Sequence, residues 1–226
     1  ESDEDEDEDE YDEEIIENLC KQIGRPIIQC PGEMRGFEER ANYMVDNADR
    51  ALEDLVSRKD SEFDNYIKKE PLGTIFVIAP WNYPFNTSVN SIVPSLLSGN
   101  TVILKHSSQT PLCAEQLFDA ATKASLPKNI FQFLHLNHSS TSKVISDNRI
   151  NHVLFTGSVS GGREIKKSIG TRFIGAGLEL GGKDPAYVRS DCNLEHAIEN
   201  LVDGSYFNSG QSCCGIERIY VCLLYT

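Results

Sequence analysis

Three side chains far apart along the chain could carry nucleophilic, acid–base and anion-stabilising chemistry. Cys213 lies in Y-F-N-S-G-Q-S-C-C-G, residues 206–215, a Gly- and Ser-flanked turn after a helical run. Such a turn can present a thiol to a cleft, where the thiolate is a nucleophile. The competing reading makes Cys213 and Cys214 two small buried apolar residues. Glu179, in L-E-L-G-G-K, sits among leucines and glycines. Apolar surroundings would raise its pKa toward the working range of a general base, or it is a buried structural carboxylate. Asn82, in P-W-N-Y-P, is held between two prolines. It is either a rigid amide donor suited to an oxyanion or a turn asparagine bonded to its own backbone.

A second group is suited to phosphate and sugar. G-S-V-S-G-G, residues 157–162, opens a helical pattern whose first backbone N–H groups lack intrahelical partners. Gly157, Ser158 and those amides could hold a phosphate, although the spacing is not G-x-G-x-x-G and a glycine-rich turn can be plain architecture. Lys105 ends an apolar run and could meet ribose hydroxyls or phosphate, or simply be a solvated cap.

The elements that must position these groups alternate. Residues 74–79, 101–105, 130–136 and 151–156 read as short buried strands, and 172–180 as extended. Between them, 88–97, 110–124, 140–147 and 162–169 read as helices, with Pro111 at a first helical position and Gly99 closing the first of them. This is the signature of parallel βαβ units, and the fold class is α/β with a doubly wound parallel sheet. In such sheets ligands sit at the carboxyl ends of strands, and the candidate residues fall there. An amphipathic helix is expected over 37–56, an exposed connection or hairpin arm over 57–70, and a last helix over 194–205 burying Leu194, Ile198 and Leu201.

Composition sets limits. The chain has 226 residues, 39% hydrophobic, enough for a real core, and a net charge of −14. Twelve of residues 1–14 are Asp or Glu, so nearly all the excess charge sits in that stretch, which is expected to be disordered. It reads as a solvating extension or an interaction tail for a basic partner. Acidity argues against nucleic acid, and no apolar run suits a membrane span or a secretory signal. The seven irregularly spaced cysteines, without a C-x-x-C pair, suit free thiols in a reducing cytoplasm, with no metal site.

P-W-N-Y-P, L-K-H-S-S-Q-T-P, F-T-G-S, L-E-L-G-G-K and F-N-S-G-Q-S-C, in that order over residues 70–221, strongly resemble the aldehyde dehydrogenase superfamily. Looser similarity over 41–55 extends the match backwards. The resemblance implies a Rossmann-like cofactor domain over 15–181, with an N-terminal helix and hairpin arm, and the start of a second α/β catalytic domain over 182–226. It implies Cys213 as nucleophile, Glu179 as general base and Asn82 as oxyanion donor with the nucleophile's own N–H. Lys105 matches a ribose contact, and Ser158 and Trp81 match cofactor-site positions beside Gly157. An aldehyde would be oxidised with NAD or NADP through a thiohemiacetal and a thioester.

Departures qualify this. Ser108 stands where the family's K-P-S-E segment has a ribose-binding glutamate, which removes repulsion against a 2′-phosphate and admits NADP. G-S-V-S-G-G replaces the commoner G-S-T-E-x-G. The chain ends a dozen residues beyond the cysteine, so it is expected to be truncated, poorly stable and of little activity alone. A complete enzyme of this kind is expected to be a homo-oligomer. Two alternatives stand beside it. One is an inactive homologue that binds nucleotide or a partner; the other is a relative passing the acyl group to coenzyme A, against which Glu179 argues.

Overall fold

A computed structural model of the chain describes the backbone of residues 3–222 and the side chains of residues 13–222. It opens with helix α1 (Asp3–Ile23). Residues 1 and 2 of the acidic stretch lie outside the described residues, but from Asp3 onward that stretch is helical, contrary to the expected disorder. Packing favours this in the second half, where Ile15, Leu19 and Ile23 recur every four residues and are buried against Cys30, Phe85 and Cys113. Gly24, at φ +69°, ends the helix.

After a 3-10 turn, Ile27–Gln29, comes α2 (Cys30–Leu52), longer at its start than its hydrophobic pattern indicated because Pro31 opens the first turn. The expected hairpin arm follows as β1 (Leu55–Lys59) and β2 (Asp64–Ile67), antiparallel and exposed along both strands.

The body is a sheet of β3 (Thr74–Ile78), β4 (Thr101–Lys105), β5 (Phe131–Phe133), β6 (His152–Thr156) and β7 (Gly175–Glu179). All neighbours pair in parallel, in the order β5-β4-β3-β6-β7. The strands read as continuous apolar runs because both faces are covered. On one face α3 (Pro84–Leu97) and α4 (Pro111–Lys123) enclose Ile75, Val77, Val102, Leu104 and Phe131. On the other, α5 (His138–Ser146) and α6 (Val159–Ile169) enclose Phe76, Ile78 and Val153. The chain runs outward from β3 through β4 to β5, then returns to β6 on the far side of β3. Connections therefore leave β3 and β6 toward opposite faces, and a crevice opens at their carboxyl ends.

Beyond the sheet, β8 (Asp184–Val188), α7 (Leu194–Tyr206), a 3-10 turn (Phe207–Gly210) and β9 (Ile216–Val221) form a smaller unit whose two strands pair in parallel. The expected burial of Leu194 and Ile198 is not met: they are 48% and 53% exposed, and α7 buries none of its residues. The periodicity marks an apolar stripe correctly; Leu201 is half-buried, while Leu194 and Ile198 stay largely exposed. Among the described residues, no helix is long and apolar enough to cross a membrane, and no cluster of three His, Cys, Asp or Glu could hold a metal.

Candidate functional site

The crevice is a cavity of about 960 Å³. Its wall is built at strand ends: Ile78 to Tyr83 after β3, Lys105 and Ser107 after β4, Phe155 to Ser158 after β6, and Leu180 and Gly181 after β7. The cysteine turn, Gly210 to Cys213, closes it. Trp81, Asn82, Lys105, Gly157, Ser158 and Cys213 therefore share one lining. Glu179 and Ser108 do not. Both are exposed, and their chain neighbours Leu180 and Ser107 line the cavity in their place. The expected apolar enclosure of Glu179 is not met, because the last residue of β7 turns its side chain outward while its carbonyl accepts from Gly157 N at 2.9 Å.

Lys105 is not a solvated cap. It is 8% exposed, faces the cavity, and its ammonium has no hydrogen-bond or ion-pair partner among the described residues. Burial lowers its pKa from the ordinary lysine value. An uncompensated buried cation is a site for ligand oxygens. At the start of α6, the Ser158 hydroxyl caps the helix by accepting from Gly161 N at 3.1 Å.

His106, beside Lys105, is buried and fully bonded. Ser107 N donates to Nδ1 at 3.2 Å and the Thr110 hydroxyl lies 2.9 Å from it, while Nε2 lies 3.1 Å from the Pro84 carbonyl. This network assigns a neutral ring with its proton on Nε2. Burial is the main cause that lowers its pKa to about 4.

Cys213 is exposed. Partial desolvation, then the neighbouring Cys214, pushes its thiol above the ordinary value. The Asn82 amide donates one N–H to the Gln211 carbonyl at 3.0 Å, which ties it to the residue two before the cysteine. Gly182 lies against this turn so closely that a Cβ there would sit 2.4 Å from the Cys213 carbonyl oxygen. Only glycine permits that approach.

A description of the "Aldehyde dehydrogenase family" matches residues 8–222. The chain belongs to the aldehyde dehydrogenase family. Among its relatives, the D-glyceraldehyde dehydrogenase (NADP(+)) of Picrophilus torridus is 32% identical over 92% of this chain and 43% of its own length. The succinate semialdehyde dehydrogenase Sad of Escherichia coli K12, named for NAD(P)+, is 31% identical over 92% and 45%. The solved succinic semialdehyde dehydrogenase of Streptococcus pyogenes, in complex with NADP+, superposes with a TM-score of 0.88 at 29% identity, covering 96% of this chain and 46% of that one. The chain thus spans less than half the length of these aldehyde dehydrogenases.

Sequence reading gave no role to Gln211 or Asn208. Asn208 is completely buried behind the cysteine turn, in a left-handed conformation with φ 53° and ψ 35°. The one available signal was an N-S-G triplet, which reads as any turn.

Proposed function

We propose that the chain carries the cofactor unit, residues 15–181, and the nucleophilic turn, within residues 182–226, of an enzyme that oxidises an aldehyde to a carboxylic acid. The shared lining supports this reading: one cavity is lined by Cys213, Asn82 and Lys105, the last without a side-chain partner among the described residues. NAD or NADP fits that lining. When bound, it supplies the hydride acceptor of the reaction.

Lys105 is assigned to oxygens of the ribose or its phosphate, and Gly157 and Ser158, at the start of α6, to a diphosphate. No carboxylate stands at position 108, so a 2′-phosphate meets no repulsion there. The Cys213 thiolate attacks the aldehyde carbon. The resulting oxyanion takes the second N–H of the Asn82 amide and the backbone N–H of Cys213. After oxidation to the thioester, release of the acid needs a base for the attacking water; the resemblance assigns that role to Glu179, whose side chain would have to turn inward from its exposed position at the end of β7 to take it. The named substrates of the relatives, D-glyceraldehyde and succinate semialdehyde, support a short polar aldehyde.

A second reading, nucleotide binding without turnover, is favoured by one pair of observations. The Cys213 thiol is shifted away from ionisation, and Glu179 lies outside the lining. Titration of the chain with NADP+ and NAD+ tests both, followed by Trp81, the sole tryptophan and a cavity residue. Saturable quenching is expected, weakened about tenfold or more in Lys105→Ala by loss of a charged hydrogen bond. Cofactor-dependent alkylation of Cys213 and turnover of a short aldehyde mark the enzyme. Quenching with an unresponsive thiol marks the binder, and absent quenching removes both readings.

A further inference from the structure

A buried polar network behind the cysteine turn has no place in the chemistry above. Asn208 uses every atom of its side-chain amide. Nδ2 donates to the carbonyls of Asn82 at 2.9 Å and Gln211 at 3.1 Å, and Oδ1 accepts from Arg25 Nε at 2.6 Å. Its backbone N–H donates to Gln29 Oε1 at 2.9 Å. Arg25, 2% exposed, also donates Nη2 to the Asn82 carbonyl at 2.9 Å and Nη1 to Glu33, and lies over the Tyr83 ring at 4.7 Å. Glu33, also 2% exposed, accepts with its other oxygen from Phe85 N at 2.9 Å and Asn86 N at 3.2 Å, the first turn of α3.

The Gln211 carbonyl thus receives both the Asn82 and the Asn208 amides, and the Asn82 carbonyl receives both Asn208 and Arg25. Reversing the Asn208 amide would set its N–H groups against a guanidinium and its oxygen against two carbonyls. The guanidinium therefore permits one orientation only, and that orientation fixes the separation of two backbone segments, the one bearing Asn82 and the one bearing Cys213.

We propose that Asn208 is a positioning residue for the cysteine nucleophile and that the buried Arg25–Glu33 pair sets its orientation. The inference rests on the reading of Cys213 as nucleophile. Neither Arg25 nor Glu33 touches the cavity, so they act through Asn208 and the backbone of Asn82. Burial raises the Glu33 carboxyl from its ordinary value, against the pull of Arg25 and the two backbone amides. The pair therefore depends on both members being present.

The test is the alkylation of Cys213 by iodoacetamide relative to that of Cys214, resolved by mass spectrometry on the 226-residue chain, beside a thermal melt. Asn208→Gly deletes the amide while accepting the left-handed backbone, and Arg25→Lys keeps the charge while losing the fork. In folded variants the Cys213 to Cys214 rate ratio is expected to change by about fivefold or more, the coupling typical of one hydrogen-bond network. Should a single variant fail to fold, the double variant Arg25→Met, Glu33→Gln, which strands no charge, gives the same readout. A lowered melting temperature with the ratio unchanged makes the network structural only and overturns the inference. An alkylation of wild-type Cys213 that ignores NADP+ tells instead against the catalytic reading, whatever the variants do.

Discussion

At the scale of single residues, the C-terminal end of β4 places two basic groups side by side with opposite treatment. Lys105 faces the cavity without a partner among the described residues, whereas His106 faces the core with both ring nitrogens hydrogen-bonded. A folded pKa of about 4 against an unfolded value of about 6.5 means that the unfolded chain binds the extra proton between those limits. The ring's contribution to stability is therefore whole above about pH 6.5, falls as pH drops through the window, and is lost below about pH 4, on the order of 3 kcal/mol in all. Urea midpoints measured across that window are expected to fall more steeply for the wild type than for His106→Asn, whose amide does not titrate. No position in the sequence announced this. A histidine in a strand-end turn reads as exposed until α3 and α4 close over it.

At the scale of elements, the alternation of apolar strands with helices was legible because the interior residues of β3, β4 and β6, covered on both faces, are apolar and leave polar residues to the strand ends. The strand order was not read from the sequence; the rule that ligands sit at the carboxyl ends of strands is what drew Trp81, Asn82, Lys105, Gly157 and Ser158 together, and the fold adds Cys213 to the same lining. What escaped notice depends on partners distant in sequence. Arg25 and Glu33 look like solvated charges locally, and Asn208 like a turn residue; only the folded chain brings them together. Glu179 was read as enclosed because its neighbours are apolar, yet the period of two in a strand sends adjacent side chains to opposite faces. The exit from β7 is instead fixed to the cysteine turn by the backbone contact at Gly182. Gly182→Ala forces a Cβ against a carbonyl oxygen, and about 1–3 kcal/mol of strain is expected. Its signature is an altered alkylation rate at Cys213, checked against the melting temperature of the same variant.

At the scale of the whole molecule, the described residues divide into a five-stranded sheet with both faces covered and a two-stranded unit with one helix, α7, left bare. Ile198, Val202 and Tyr206 lie along that helix, more than half exposed. An uncovered stripe of this kind promotes self-association. Sedimentation velocity is expected to show concentration-dependent association of the chain, suppressed in Ile198→Glu, Val202→Lys. The melting temperature should scarcely move, since surface changes usually stay within about 0.5 kcal/mol.

The bridge from Arg25 to Asn208 also orders events during biosynthesis. The parallel sheet is complete once Glu179 has emerged from the ribosome, so the cofactor crevice can take shape early. Of the partners of the Arg25 guanidinium, Glu33 and the Asn82 carbonyl precede the sheet's last strand in sequence, and Asn208 follows it. A chain stopped before Asn208 therefore has the strand-end wall of the crevice but neither the amide nor the Cys213 turn that completes its lining.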